Sequence, residues 1–253
     1  MPLDLTFFLA AIPAVILVGL SKGGFGGAFA LMGVPILALV VDPLQAAAIF
    51  LPILIVMDIV ALWAWRNDND RRTLLILLPG GIVGIALGWA TSAYVSPNVL
   101  KFVIAVSTIL FAARYFYQAW WPHAGGEAPP LPHRPVRATL WGTLSGYASF
   151  VAHAGGPPFQ IYVLPLKLDP RAYTGASVRF FALVNAIKLI PYFALGALDA
   201  ENLVASATLF PVALVATMLG AWIIRNLKTE VFYPLTYGLA LVTGLKLLWD
   251  SLA

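Results

Sequence analysis

Ser21-Lys22-Gly23-Gly24-Phe25-Gly26-Gly27 interrupts an apolar stretch of the chain and sets a lysine inside the interruption. Glycine at this density ends regular helix, because each residue exposes backbone and loses more conformational freedom on ordering than any other. A second tract, His153-Ala154-Gly155-Gly156-Pro157-Pro158, breaks another apolar stretch at the matching place in the second half, with prolines that remove backbone N–H groups. In lipid, broken backbone persists only where protein buries it or where it lines a watery cavity. The two tracts are therefore expected to meet near the membrane midplane and form a substrate site.

Composition sets the solvent. Of 253 residues, 61% are hydrophobic and only 10% charged, with a mean hydropathy of +0.89, whereas soluble domains carry about 25% charged residues. An all-α polytopic membrane protein is expected. At roughly 20 residues per span, its apolar segments leave no room for a sizeable soluble domain, so function must lie within the membrane. The net charge of +4 comes from basic residues in short loops, as membrane topology requires, so nucleic acid is not an expected partner. The absence of cysteine excludes disulfides, thiolate chemistry and cysteine-ligated metal. No signal peptide is expected, because Met1-Pro2-Leu3-Asp4 lacks a basic region and no small-residue cleavage pattern follows.

Ten apolar segments follow, in two halves with the same plan. In the first half, the glycine tract is followed by a segment containing Pro35, then Asp42-Pro43, a long span ending in Arg66-Asn67-Asp68-Asn69-Asp70-Arg71-Arg72, and two spans separated by Ser96-Pro97-Asn98. Residues 122–136, rich in proline and holding His123 and His133, read as a linker. In the second half, Asp169-Pro170 answers Asp42-Pro43, and this alignment places Asp58 opposite Asn185. Residues 1–121 and 137–253 are thus read as two transmembrane repeats. Five segments per half make the second repeat enter from the opposite face, an inverted arrangement familiar among transporters. The short sixth and seventh segments, about 15 and 12 residues against the roughly 20 needed to span, favour a re-entrant, glycine-broken helix pair in each half beside three transmembrane helices. Loop charges place Arg66, Arg71, Arg72, Arg134, Arg137, Lys167, Arg171, Arg225 and Lys228 on one face, which the positive-inside rule makes cytoplasmic, with both termini outside. Trp63, Trp65, Trp120, Trp121 and Trp222 are expected in the interfacial belt of that face.

The candidate site residues follow from this plan. Helices starting at Gly24 and Gly156 would aim free N–H groups and the positive dipole end at an anion. Lys22 and His153 would add positive charge, and Gly23, Gly24, Gly26, Gly27, Gly155 and Gly156 would let backbone approach the ligand. The plainer reading of such glycines is close helix packing, and that of Lys22 is a cytoplasmic loop lysine. Asp58, Arg179 and Lys188 lie well inside long spans, where a charge costs about 2.5–3.5 kcal/mol on insertion scales and marks a pathway or a buried pair. Asp58 and Arg179 share a depth, so either they form a salt bridge or Arg179 is an anion ligand and Asp58 a coupling or gating site. Asn185 and Lys188 share a helix face, and Lys188 lies about 180° around the helix from Arg179, so at most one of the two cations faces the site. Gln160 is a further candidate hydrogen-bond donor.

Gly23-Gly24-Phe25-Gly26-Gly27 followed by Gly33-Val34-Pro35, and Gly155-Gly156-Pro157-Pro158 followed by Tyr162 and Leu164, resemble the sulfite exporter TauE/SafE family, also called the 4-toluene sulfonate uptake permease family. The resemblance covers almost the whole chain and implies a bacterial cytoplasmic-membrane transporter of sulfur-containing anions such as sulfite, sulfoacetate, thiosulfate or organosulfonates. Pro157-Pro158 departs from the pattern where a third glycine would stand. The expectation is a secondary transporter, exporting its anion, with no cofactor or metal, with proton or sodium as candidate coupling ions, and with membrane lipid and copies of the same chain as candidate partners. An anion channel is the alternative. A membrane-embedded enzyme is disfavoured, because no nucleophile-base spacing, metal-ligand cluster or phosphate loop is found.

Overall fold

A computed structural model describes residues 4–25, 32–91, 94–120, 129–194 and 199–252. These form ten helices, α1 Leu5–Gly23, α2 Gly33–Leu37, α3 Pro43–Ala64, α4 Arg71–Thr91, α5 Pro97–Trp120, α6 Pro135–Ala152, α7 Gly156–Val163, α8 Pro170–Ala194, α9 Ala200–Arg225 and α10 Thr229–Leu252. A 3-10 turn over Leu164–Leu166 follows α7, and the described residues contain no strand. The linker is described only from residue 129 onwards.

Aspartates start most of the long helices. Asp4 accepts from the Phe7 N–H at 2.9 Å, Asp70 from Thr73 at 2.7 Å and Asp199 from Asn202 at 2.7 Å, each satisfying a first-turn donor that has no partner within its helix. Each Asp-Pro pair starts the long helix of its half. α3 opens on Pro43 after Asp42 and α8 on Pro170 after Asp169, with proline at the first helical position, where its missing N–H costs nothing.

Six helices are long and apolar enough to cross a membrane: α1, residues 45–64 of α3, α4, α5, α9 and α10. The sequence plan counted α8 in place of α1. α1 qualifies because it runs unbroken for 19 residues to Gly23, and α8, although 25 residues long, carries Arg171, Arg179 and Lys188. Among the described residues, the helices that follow the glycine tracts are short, 5 residues in α2 and 8 in α7. Exposed Leu75, Leu110, Val215 and Leu245 are the surface that a lipid solvent requires.

The described contacts divide the chain into two compact units, Met1–Asn69 with Thr174–Asn226, and Asp70–Tyr173 with Leu227–Ala253. Each draws helices from both sequence halves. In the first unit, α1 lies against α9, and a Cβ built on Gly23 would stand 2.4 Å from the Thr217 carbonyl oxygen, one on Gly220 2.5 Å from that of Leu20. Phe7, Val15, Val18, Leu37, Phe50, Ile53, Met57 and Leu209 fill the space between α1, α2, α3 and α9. In the second unit, α4 lies against α6, with Gly80 and Gly84 facing the Thr139 and Thr143 carbonyls and Gly142 and Gly146 facing those of Leu77 and Gly81. Its α5 packs on α10, where the Tyr115 and Tyr237 rings stack at 3.7 Å. Lipid tails are as apolar as leucine, so burial of greasy surface cannot drive helices together there. Close backbone approach over small residues, with its dispersion gain, does so instead.

Candidate functional site

The first unit brings together four of the candidate residues. Lys22, in the last turn of α1, donates from Nζ to Asp58 Oδ1 at 2.5 Å, and Asn185 Nδ2 of α8 donates to Asp58 Oδ2 at 2.6 Å. Both carboxylate oxygens are thereby engaged. Lys188, one helical turn after Asn185 on the same face, is fully buried and within electrostatic reach of both Lys22 and Asp58. The Phe181 ring, one turn before Asn185, lies 6.0 Å from Lys22 Nζ. The α8 face 181–185–188 thus covers the pair made by α1 and α3.

Lys22 is therefore not a solvated loop lysine, since only 11% of its side chain is exposed and 5% of that of Asp58. The cluster also lies off-centre. Asp58 stands six residues from Ala64, about 9 Å of helical rise, in a helix of 22 residues. With both lysines protonated and Asp58 ionised, the formal charge is +1. Buried charge is costly unless it is paired, and the Asp58 carboxylate lies within electrostatic reach of both lysines.

Arg179 is not the partner of Asp58. Its guanidinium donates to the carbonyls of Trp65 at 3.0 Å, Arg66 at 2.9 Å, Asp68 at 2.6 Å and Gly175 at 3.0 Å. It ties α8 to the chain leaving α3, and the partners of Asp58 are Lys22 and Asn185 instead. Matching depth did not match direction, because six residues of helix turn Arg179 well away from Asn185. Arg225 of α9 adds a bond to the Ala64 carbonyl, so helix-end carbonyls that lack partners in α3 find arginine donors. Trp65, expected at the interface, is fully buried, with its indole N–H 2.8 Å from the Gly23 carbonyl and its ring 5.0 Å from the Arg225 guanidinium.

Gly23 belongs to the packing surface on α9, as the plainer reading had it, and Gly24 caps α1 at φ +159 with Ile224 side-chain atoms 2.8 Å from where a Cβ would stand. No described helix starts at Gly24. Gly26 and Gly27 lie outside the described residues. The second tract belongs to the second unit. There His153 ends α6 in the left-handed conformation, φ 52, and the Ala154 N–H reaches back to the Ala148 carbonyl at 3.0 Å. Gly155 precedes α7, its carbonyl accepting from Ser145 Oγ at 2.7 Å. Gly156 and Gln160 are buried in α7, together with Phe159, whose ring meets that of Tyr173 edge-on.

Sequence reasoning did not single out Phe181 or Ser145, and it read Trp65 and Arg225 only as an interfacial residue and a loop charge. Phe181 was the most accessible of these, being four residues before Asn185 on a helix whose inner face was already assigned. Among the described residues, no three His, Asp or Glu side chains gather as a metal site would require.

A family model described as sulfite exporter TauE/SafE matches residues 11–247, nearly the whole chain. No curated protein and no solved structure matches the chain significantly.

Proposed function

The chain belongs to the sulfite exporter TauE/SafE family, and from that premise we propose a secondary transporter that exports a small sulfur-containing anion by alternating access. The observation that carries the site is the buried Lys22–Asp58–Asn185–Lys188 cluster of the first unit. Two lysines and an amide offer the N–H donors that the oxygens of a sulfite or sulfonate group accept. A buried setting makes each such contact count for more than it would in water. The proposal rests on the first tract and its partners.

We further propose that the two sequence halves are inverted repeats placed in the bacterial cytoplasmic membrane with both termini outside. Three contacts support the repeat. The pair α1–α9 becomes α6–α4 when the halves are exchanged, both being close glycine-lined packings, and α5–α10 exchanges into itself. Asp58 and Asn185, matched by the Asp-Pro alignment, hydrogen-bond to each other, as equivalent residues do where two related halves meet. Orientation rests on the loop charges alone.

Purified protein in liposomes is expected to give saturable flux of sulfite, thiosulfate, sulfoacetate or methanesulfonate under imposed ion gradients, with little flux of acetate. Absence of flux for every sulfur anion would remove the function. Steady conduction far above carrier turnover would identify a channel instead.

A further inference from the structure

Two turns along the chain from Asp58, on the same helical face, stands a residue outside the cluster that touches the same turn of α1. Trp65 directly follows α3 and continues its ladder, its N–H donating to the Ala61 carbonyl at 2.9 Å. Its indole N–H donates to the Gly23 carbonyl at 2.8 Å, and Gly23 is the residue after Lys22. We propose that Trp65 is a positioning residue for the anion site: it fixes the last turn of α1 so that the Lys22 ammonium is held where Asp58 and the anion meet it. This inference rests on the transport reading above and adds the residue that orients one of its anion ligands.

A helix leaves its last carbonyls without partners of its own, and Gly23 is the last residue of α1. Packing of Gly23 on α9 sets the helix sideways, because a Cβ there would meet the Thr217 carbonyl oxygen at 2.4 Å. The carbonyl of Gly23 still needs a donor, and Trp65 supplies it. α3 and the residue after it thereby hold the end of α1 at two points, Asp58 on the Lys22 side chain and Trp65 on the backbone beside it. The two holds differ in stiffness. Lysine carries its ammonium on a flexible stem, whose rotational freedom opposes a fixed position, so an anchored backbone narrows the volume that the ammonium explores.

Trp65 is itself held. It is fully buried, the Arg225 guanidinium lies over its ring at 5.0 Å, and Arg225 also donates to the neighbouring Ala64 carbonyl and lies 3.7 Å from Asp68. A buried indole N–H usually finds a partner. The acceptor here belongs to the turn that carries Lys22, which is what separates this contact from ordinary core packing. Lys188 enters the cluster from α8 rather than α1, and so gives an internal control.

Trp65→Phe keeps an apolar ring and removes the N–H, and is compared with the wild type as purified full-length protein. Modification of each lysine by an amine-reactive ester is followed by mass spectrometry, and methanesulfonate affinity by calorimetry. The Lys22 rate is expected to rise roughly fivefold, the effect of losing one ordinary hydrogen bond, with the Lys188 rate unchanged. Methanesulfonate affinity is expected to fall by about the same factor. In a Lys22→Gln background, adding Trp65→Phe is expected to change affinity less than about twofold, because the two act through one contact. A Lys22 rate that does not rise overturns the proposal, and so does an equal rise at Lys22 and Lys188, which is general loosening. Unchanged affinity in Trp65→Phe, or the same loss with and without Lys22, overturns it as well. Should Trp65→Phe fail to fold, Arg225→Gln keeps a donor for the Ala64 carbonyl and removes the cation over the ring. A higher Lys22 to Lys188 rate ratio in that variant supports the proposal, and an unchanged ratio overturns it. Wild-type protein that binds no methanesulfonate overturns the transport reading together with the anion role of Lys22, and the lysine rates distinguish that failure from a failure of Trp65 to hold Lys22.

Discussion

Asp58→Ala is expected to lower the stability of the purified protein by about 3–5 kcal/mol, the usual consequence of removing one partner from a buried ion pair. The variant leaves the Lys22 ammonium and the Asn185 amide without the carboxylate that each now contacts, and removes the negative charge within electrostatic reach of Lys188. The double variant Lys22→Ala/Asp58→Ala removes both members of the pair, and is expected to recover most of the loss. The measurement is thermal unfolding in detergent followed by tryptophan fluorescence, read as a double-mutant cycle. Equal destabilisation of the single and double variants would show that the pair is not coupled. Neither variant is expected to transport, because each has lost part of the cluster, so stability and flux separate in the double variant.

Gly84→Leu is expected to be the most disruptive change outside the cluster. A Cβ at Gly84 would stand 2.1 Å from the Thr143 carbonyl oxygen, and one at the neighbouring Gly80 2.2 Å from that of Thr139. Backbone atoms cannot swing aside as a flexible side chain can. To reach an ordinary contact of 3.4 Å, α4 and α6 must separate by about 1.3 Å, and contact along Gly142 and Gly146 is lost with it. Even Gly84→Ala should cost about 1–3 kcal/mol by overpacking, and the leucine more. Gly238→Ala in α10 is the control, since the nearest atom to its added Cβ is 3.9 Å away. Helix propensity favours alanine there by up to about 1 kcal/mol. Unfolding midpoints of the three variants check the order, and equal tolerance at positions 84 and 238 would contradict it.

Much of this architecture was legible in the chain. Hydropathy fixes the membrane class, Asp42-Pro43 and Asp169-Pro170 mark where α3 and α8 begin, and α6 ends at Ala152 beside the tract that breaks it. The alignment of the two halves set Asp58 opposite Asn185 as equivalent positions, and did not foresee that they touch. Periodicity put Asn185 and Lys188 on one face, but it could not say which helix they face, because pairing across 127 residues is a tertiary fact. Arg179 shows the same limit from the other side. Distance along a helix gives depth, whereas its four carbonyl acceptors depend on direction around the axis and on how the chain leaves α3. The small-xxx-small spacings Gly80–Gly84 and Gly142–Gly146 stood in the sequence as a packing signal, yet nothing local told which ridge met which. Chain order also hid that each compact unit takes helices from both halves.

The measurement that tests the central claim most directly is sulfonate binding to Lys188→Met, made together with its unfolding midpoint. Lys188 is 1% exposed, and methionine keeps the length of the buried side chain without its charge. If the cluster's lysines hold the anion, the variant should still unfold in one cooperative transition while losing methanesulfonate affinity at least tenfold. A variant that binds methanesulfonate as tightly as the wild type would contradict the placement of the anion site at Lys22, Asp58, Asn185 and Lys188.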